Sequence, residues 1–146
     1  GNLIEFTQCE SLRKSEASWK LVMAHHPIAS SSTQGYSHSG ENFLGYLLRP
    51  MICELSDIWL SGHAHHLEHR RKKGCQTDFF IAGGGGGDLK TLKHQSEGRL
   101  FGASKHGFLE LSFSQEEMTS AFYDVDLNPL YSRTTLSASK KETPHF

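Results

Sequence analysis

Apolar positions in this chain fall into short runs, and the period of each run predicts its element. From Glu5 to Ala17 the pattern is weakly helical and ends at Ser18. Trp19 to His25 reads as a strand, with Leu21-Val22-Met23 as its buried part and Pro27 stopping it shortly after. Ala29 to Gly40 is small and polar, and a loop this long inside a domain is usually functional. Next, Phe43, Leu44, Leu47, Leu48, Met51, Ile52 and Leu55 recur at helical spacing. Pro50 lies within that stripe and removes one amide donor, which predicts a single bent helix.

The second half is mostly strand. Asp57 to Ser61, around Ile58-Trp59-Leu60, reads as another buried strand. His66 to Arg71 and Thr77 to Ala82 flank a Lys72-Lys73-Gly74 turn. A glycine run from Gly83 to Gly87 follows, ending at Asp88. Gly107 to Phe113, Glu117 to Val125 and Leu130 to Leu136 read as strands separated by Ser114-Gln115-Glu116 and Asn128-Pro129 turns. Ser137 to Phe146 is a polar tail predicted to fray, which leaves 1–136 as the domain. No internal repeat is visible. The order is that of a mixed α/β (α+β) domain.

Composition narrows the partners more than the fold. The 146 residues suit one domain with a modest core, at 36% apolar and 21% charged residues. A net charge of −1 and a pI near 6.9 favour neither nucleic acid nor membrane as a partner. Arg70 to Lys73 is a basic run expected to be a solvated hairpin tip. No apolar stretch approaches the roughly 20 residues that span a bilayer. Gly1-Asn2-Leu3 does not open a signal peptide and reads as an interior start or a cloning remnant. Cys9, Cys53 and Cys75 are widely spaced and odd in number, predicting neither a metal knuckle nor a redox pair, and they leave the compartment open.

Histidine supplies the candidate chemistry. Ala24-His25-His26-Pro27 and Ser61-Gly62-His63-Ala64-His65 each follow an apolar strand-like run. That places imidazoles at the carboxyl ends of two strands, where open α/β sheets bind ligands. A neutral ring nitrogen is a borderline-soft donor suited to zinc, iron, copper and nickel. In an extended segment His63 and His65 share one face; through a tight turn at Gly62 they address two neighbouring ions. A lone buried histidine more often satisfies a backbone carbonyl, but His25, His63 and His65 together point to a metal site. His66, by alternation, and His69, among Arg70 to Lys73, are expected at the surface. The glycine run lacks the Gly-Lys-Ser/Thr ending of a phosphate loop. It reads as a rim loop beside the metal cleft, a flexible turn, or a close approach of backbone.

Taken in order, His25-His26-Pro27, Leu48-Arg49-Pro50 and Leu60-Ser61-Gly62-His63-Ala64-His65-His66-Leu67-Glu68 resemble the calcineurin-like metallophosphoesterases, nearest the tartrate-resistant (purple) acid phosphatase branch. That branch carries a Gly-His-x-Pro strand end, a Leu-Arg-Pro helix and a Gly-His-Asp-His-Asn-Leu segment. Ser15-x-Ala17-x-Trp19-Lys20, Phe108-Leu109-Glu110-Leu111-Ser112 and Glu117-Met118-Thr119 are similar too, so the match runs from Ser15 to Leu136. The resemblance implies the carboxyl-terminal half of a metallophosphatase-type β-sandwich flanked by helices. It implies two metal ions (Fe, Zn or Mn) about 3.5–4 Å apart that promote in-line attack on a phosphate ester. Carried over, His25 and His63 bind the second ion and His65 the first.

Three departures accompany it. The family's Asp-x-His, Gly-Asp-x-x (with its bridging aspartate) and Gly-Asn-His-Asp/Glu elements are absent, so an amino-terminal half of the same domain is expected as partner. The outer histidine that contacts phosphate in the acid phosphatases is replaced by Gln34, and His38 in the same loop is the candidate to take its role. Ala64 stands where the branch has aspartate, a possible acceptor for orienting an imidazole. The implied function is a binuclear phosphatase acting on small phosphate monoesters, with the isolated chain inactive. A non-catalytic metal-binding or interaction module, and a phosphodiesterase of the same superfamily, are the alternatives. The family is often secreted, lysosomal or periplasmic.

Overall fold

The computed structural model describes residues 3–33 and 43–137. The elements run α1 (Leu3–Lys14), β1 (Leu21–Ala24), α2 (Phe43–Leu55), β2 (Ile58–Ser61), β3 (Leu67–Arg70), β4 (Asp78–Ala82), β5 (Arg99–Ala103), β6 (Gly107–Phe113), β7 (Glu117–Asp124) and β8 (Pro129–Leu136). A five-stranded sheet has the order β1-β2-β4-β3-β5, and β6-β7-β8 form a second, antiparallel sheet. β1, β2 and β4 are parallel, and β3 is antiparallel to both its neighbours. This is the mixed α/β content that the residue pattern predicted.

Period-two alternation explains the layering. In β2 and β4, Ile58 and Phe80 point to one face, where they join Leu67 and, from the small sheet, Met118 and Phe122. Trp59 and Phe79 point to the other face and pack with Ile28 and Ile52. The large sheet is therefore covered on one side by the small sheet and on the other by α2, which is why Ile58-Trp59-Leu60 of β2 and Phe79-Phe80-Ile81 of β4 are apolar on both faces. No described helix is long and apolar enough to cross a membrane.

Several expectations need correction. β1 is an edge strand, with Met23 71% and Leu21 36% exposed, so the Leu21-Val22-Met23 run is only half-buried. His25 lies just past its end rather than within it. α2 runs through Pro50, but its first turns are not buried: Phe43, Tyr46 and Leu47 are exposed while Ile52 and Leu55 are covered. β5 was not predicted. Cys53 and Cys75 form a disulfide, which links α2 to the turn between β3 and β4, a pairing that their wide spacing in sequence did not predict. Cys9 is the free cysteine. The predicted tail beyond Ser137 lies outside the described residues.

His66 and His69 are the largest correction: both are fully buried, and so is most of Arg70. Along β3 and the residue before it, His66, Glu68 and Arg70 share one face. Glu68 accepts from Ser31 N at 2.9 Å, from the Ser31 hydroxyl, from His66 Nε2 at 2.7 Å and from Arg70 Nη1 at 2.5 Å. Arg70 Nη2 donates to the Glu97 carbonyl at 2.6 Å. His69 faces the opposite way and donates from Nε2 to Asp78 at 2.8 Å, with its Nδ1 3.0 Å from the Tyr131 hydroxyl. Arg71, expected in solvent, is bonded through Nε to the same Asp78 carboxylate at 2.7 Å. Buried ions of this kind are tolerated only when paired and hydrogen-bonded. Of the basic run expected in solvent, Arg70 and Arg71 belong to two internal polar networks, while Lys73 is exposed at the turn.

Candidate metal centre

The parallel register of β1 and β2 sets Ala24 beside Ser61, so the residues after each strand end meet. Gly62 N donates to the His25 carbonyl at 3.1 Å, and the chain then turns tightly, with Ala64 N bonded to Gly62 O at 2.6 Å. His63 sits in the left-handed region at φ 55°, a conformation that costs a non-glycine residue energy. The consequence is convergence. His63 Nδ1 lies 3.1 Å from His25 Nε2, and one ring nitrogen each from His25, His26 and His63 fall within 4.8 Å of one another. All three rings are exposed.

His65 belongs to the same turn but faces another neighbour. Its Nδ1 lies 3.0 Å from the Asp88 carbonyl. A carbonyl only accepts, so Nδ1 carries the proton and Nε2 keeps its lone pair; a backbone carbonyl fixes the tautomer of many metal-binding histidines in this way. The glycine run closes over this turn. A Cβ at Gly87 would stand 2.4 Å from His65 Cε1 and 2.5 Å from its Nδ1, and one at Gly83 would stand 2.0 Å from the Ala64 carbonyl. The run lies where close backbone approach was one of its readings.

Electrostatics favour the neutral form of His63. Partial desolvation, then the neighbouring His26, His25 and His65, hold His63 below the ordinary imidazole value. Neutral imidazole is the ligating form. The donors fit the histidine portion of a metal centre: one nitrogen from each of three rings lies within 4.8 Å of the others, and His65 stands apart from them. Among the described residues no carboxylate joins the cluster.

Of the sequence candidates, His25 and His63 are brought together and His65 is placed on the same turn, outside the three-nitrogen group. Gln34 and His38 lie outside the described residues. His26 was missed. Its signal was adjacency to His25 beyond the end of β1, where strand alternation no longer separates neighbours.

Two curated relatives from Arabidopsis thaliana align with this chain. Purple acid phosphatase 4 is 31% identical over 123 residues, covering 82% of this chain and 35% of the relative. Purple acid phosphatase 3 is 32% identical over 120 residues, covering 79% and 31%. The chain belongs to the calcineurin-like metallophosphoesterases, matching their carboxyl-terminal part. The structure of purple acid phosphatase PPD1 from yellow lupin (Lupinus luteus) seeds shares the fold, with a TM-score of 0.80 at 21% identity over 92% of this chain and 28% of that one. No family model matches the sequence. This metallophosphoesterase chain spans about a third of the length of the curated relatives it matches. Membership implies a dimetal centre.

Proposed function

We propose that the protein is a metal-dependent phosphatase hydrolysing small phosphate monoesters, in which this chain supplies the histidine side of the centre. His25 and His63 serve one ion and His65 the other, and an amino-terminal half of the same domain contributes the carboxylates. The observation that carries the reading is the meeting of His25 Nε2 and His63 Nδ1 at 3.1 Å across two parallel strand ends. The relatives named purple acid phosphatases support it. When bound, the ions polarise the phosphate ester and lower the pKa of water. The chain's own contribution is preorganisation. Asp88 holds His65 in one tautomer, and partial desolvation together with the neighbouring imidazoles lowers the pKa of His63. Gln34 or His38 hydrogen-bonds a phosphate oxygen in this reading.

One observation favours a second reading, a metal-binding module without catalysis: the imidazole cluster contains no carboxylate among the described residues. Turnover of p-nitrophenyl phosphate against bis(p-nitrophenyl) phosphate by the metal-replete full-length protein separates the readings. The proposal expects monoester hydrolysis that His63→Ala abolishes. Absent activity favours the module, faster diester turnover favours a phosphodiesterase, and activity unchanged by His63→Ala refutes the site.

A further inference from the structure

We infer that this chain holds a single transition-metal ion unaided, on a three-imidazole site of His25, His26 and His63, with His26 as a ligand and His65 dispensable for it. The inference rests on the metal-site reading above but not on phosphatase activity. Two nitrogens bound to one tetrahedral zinc at 2.0–2.1 Å stand about 3.3 Å apart. His25 Nε2 and His63 Nδ1, at 3.1 Å, are already at the separation of adjacent ligands. The His26 ring centroid is 4.0 Å from that of His63 and 5.0 Å from that of His25, so the third nitrogen reaches the same point by rotation of an exposed side chain.

The backbone is a separate line of support. His63 is held at positive φ, and its ring lies against the His25 ring at the β1 end. His65 is directed elsewhere, its Nδ1 on the Asp88 carbonyl and its ring against Gly87, and it lies outside the three-nitrogen group. Three protein ligands leave a position open for water or a phosphate oxygen. Imidazole without carboxylate selects Zn²⁺, Co²⁺, Ni²⁺ and Cu²⁺ over Mg²⁺ and Ca²⁺.

The test is titration of the 146-residue chain with Co²⁺, read by its visible d–d absorption, with Zn²⁺ and Mg²⁺ as competitors. One equivalent of Co²⁺ should bind, displaced by Zn²⁺ and not by Mg²⁺. His26→Ala should weaken it by roughly tenfold or more, whereas His65→Ala should leave it within about twofold, as expected when one ligand of three is lost. All three rings are exposed, so their truncation leaves the core intact, and far-ultraviolet circular dichroism checks each variant. Binding that survives His26→Ala but not His65→Ala overturns the inference and leaves the ligand assignment of the phosphatase reading standing. No Co²⁺ uptake by folded wild-type chain also overturns it. Uptake that needs His26, from a full-length protein without phosphatase activity, upholds it while the functional proposal fails.

Discussion

Replacing Glu68 with alanine removes the centre of the Ser31–His66–Arg70 polar network. Its carboxylate is fully buried and receives four hydrogen bonds, from the Ser31 amide and hydroxyl, His66 and Arg70. Alanine would leave the Arg70 guanidinium, only 5% exposed, without its counter-charge. Removing one partner of a buried pair costs about 3–5 kcal/mol. With a urea m-value of about 2 kcal/mol/M, the midpoint should fall by about 1.5–2.5 M. Glu68→Gln should cost less, about 1.5–3 kcal/mol, since one amide oxygen still accepts while the NH₂ meets other donors. Pairing Glu68→Ala with Arg70→Met should recover part of the loss, because the unpaired cation is then gone. Burial pushes the Glu68 carboxyl up, but His66, Arg70 and Ser31 outweigh it and its value is lowered on folding. The stabilisation is thus complete above the unfolded glutamate value of about 4.3 and fades as pH falls through the lower folded value. Glu68→Gln should flatten the acid limb of the stability profile. A Glu68→Ala midpoint within about 0.3 M of wild type, at an m-value near 2 kcal/mol/M, would refute the argument that the network is a buried, coupled unit.

The Cys53–Cys75 bridge closes a loop of sequence separation 22, for which chain entropy predicts about 3 kcal/mol of stabilisation. Cys53→Ser/Cys75→Ser should lose about that much in denaturant titrations, and reductant should reproduce the loss in wild type alone. Gly87→Ala should push the His65 ring from its Asp88 bond and, in the two-metal centre proposed above, weaken the ion assigned to His65 by about 10–100-fold. The same substitution should leave Co²⁺ binding at His25, His26 and His63 unchanged, so equal losses at both sites would contradict the separate roles given to the two groups.

The strands that enclose the core were readable because their chemistry is local. Ile58-Trp59-Leu60 and Phe79-Phe80-Ile81 are apolar on both faces, as strands covered on both sides must be. β5 escaped notice because Arg99-Leu100-Phe101-Gly102-Ala103 carries a charge and a glycine, and its pairing with β3 is a tertiary event. His66 and His69 were misplaced for a related reason. Their charged neighbours suggested solvent, whereas the partners that allow burial are distant in sequence: Ser31 and Ser96 for the Glu68–Arg70 group, Tyr131 and Thr135 for the His69–Asp78 group. The disulfide likewise depends on α2 lying over the β3–β4 turn. At the site, the two strand-end motifs announced His25 and His63, because parallel neighbours bring their carboxyl ends together. The approach of His26 to these two depends on how the chain bends once β1 has ended, which no periodicity encodes.

The positive φ of His63 gives position 63 a meaning for the history of this lineage. The local backbone suits glycine or asparagine better than a ring-bearing residue. Selection on folding alone would therefore steadily erode the imidazole, and only selection on the ring's chemistry would retain it. If His63 holds metal as proposed, relatives that have abandoned the metal should drift toward glycine or asparagine at this one position, and those that use it should not. Position 63 thus serves as a genetic record of use, readable in a single codon.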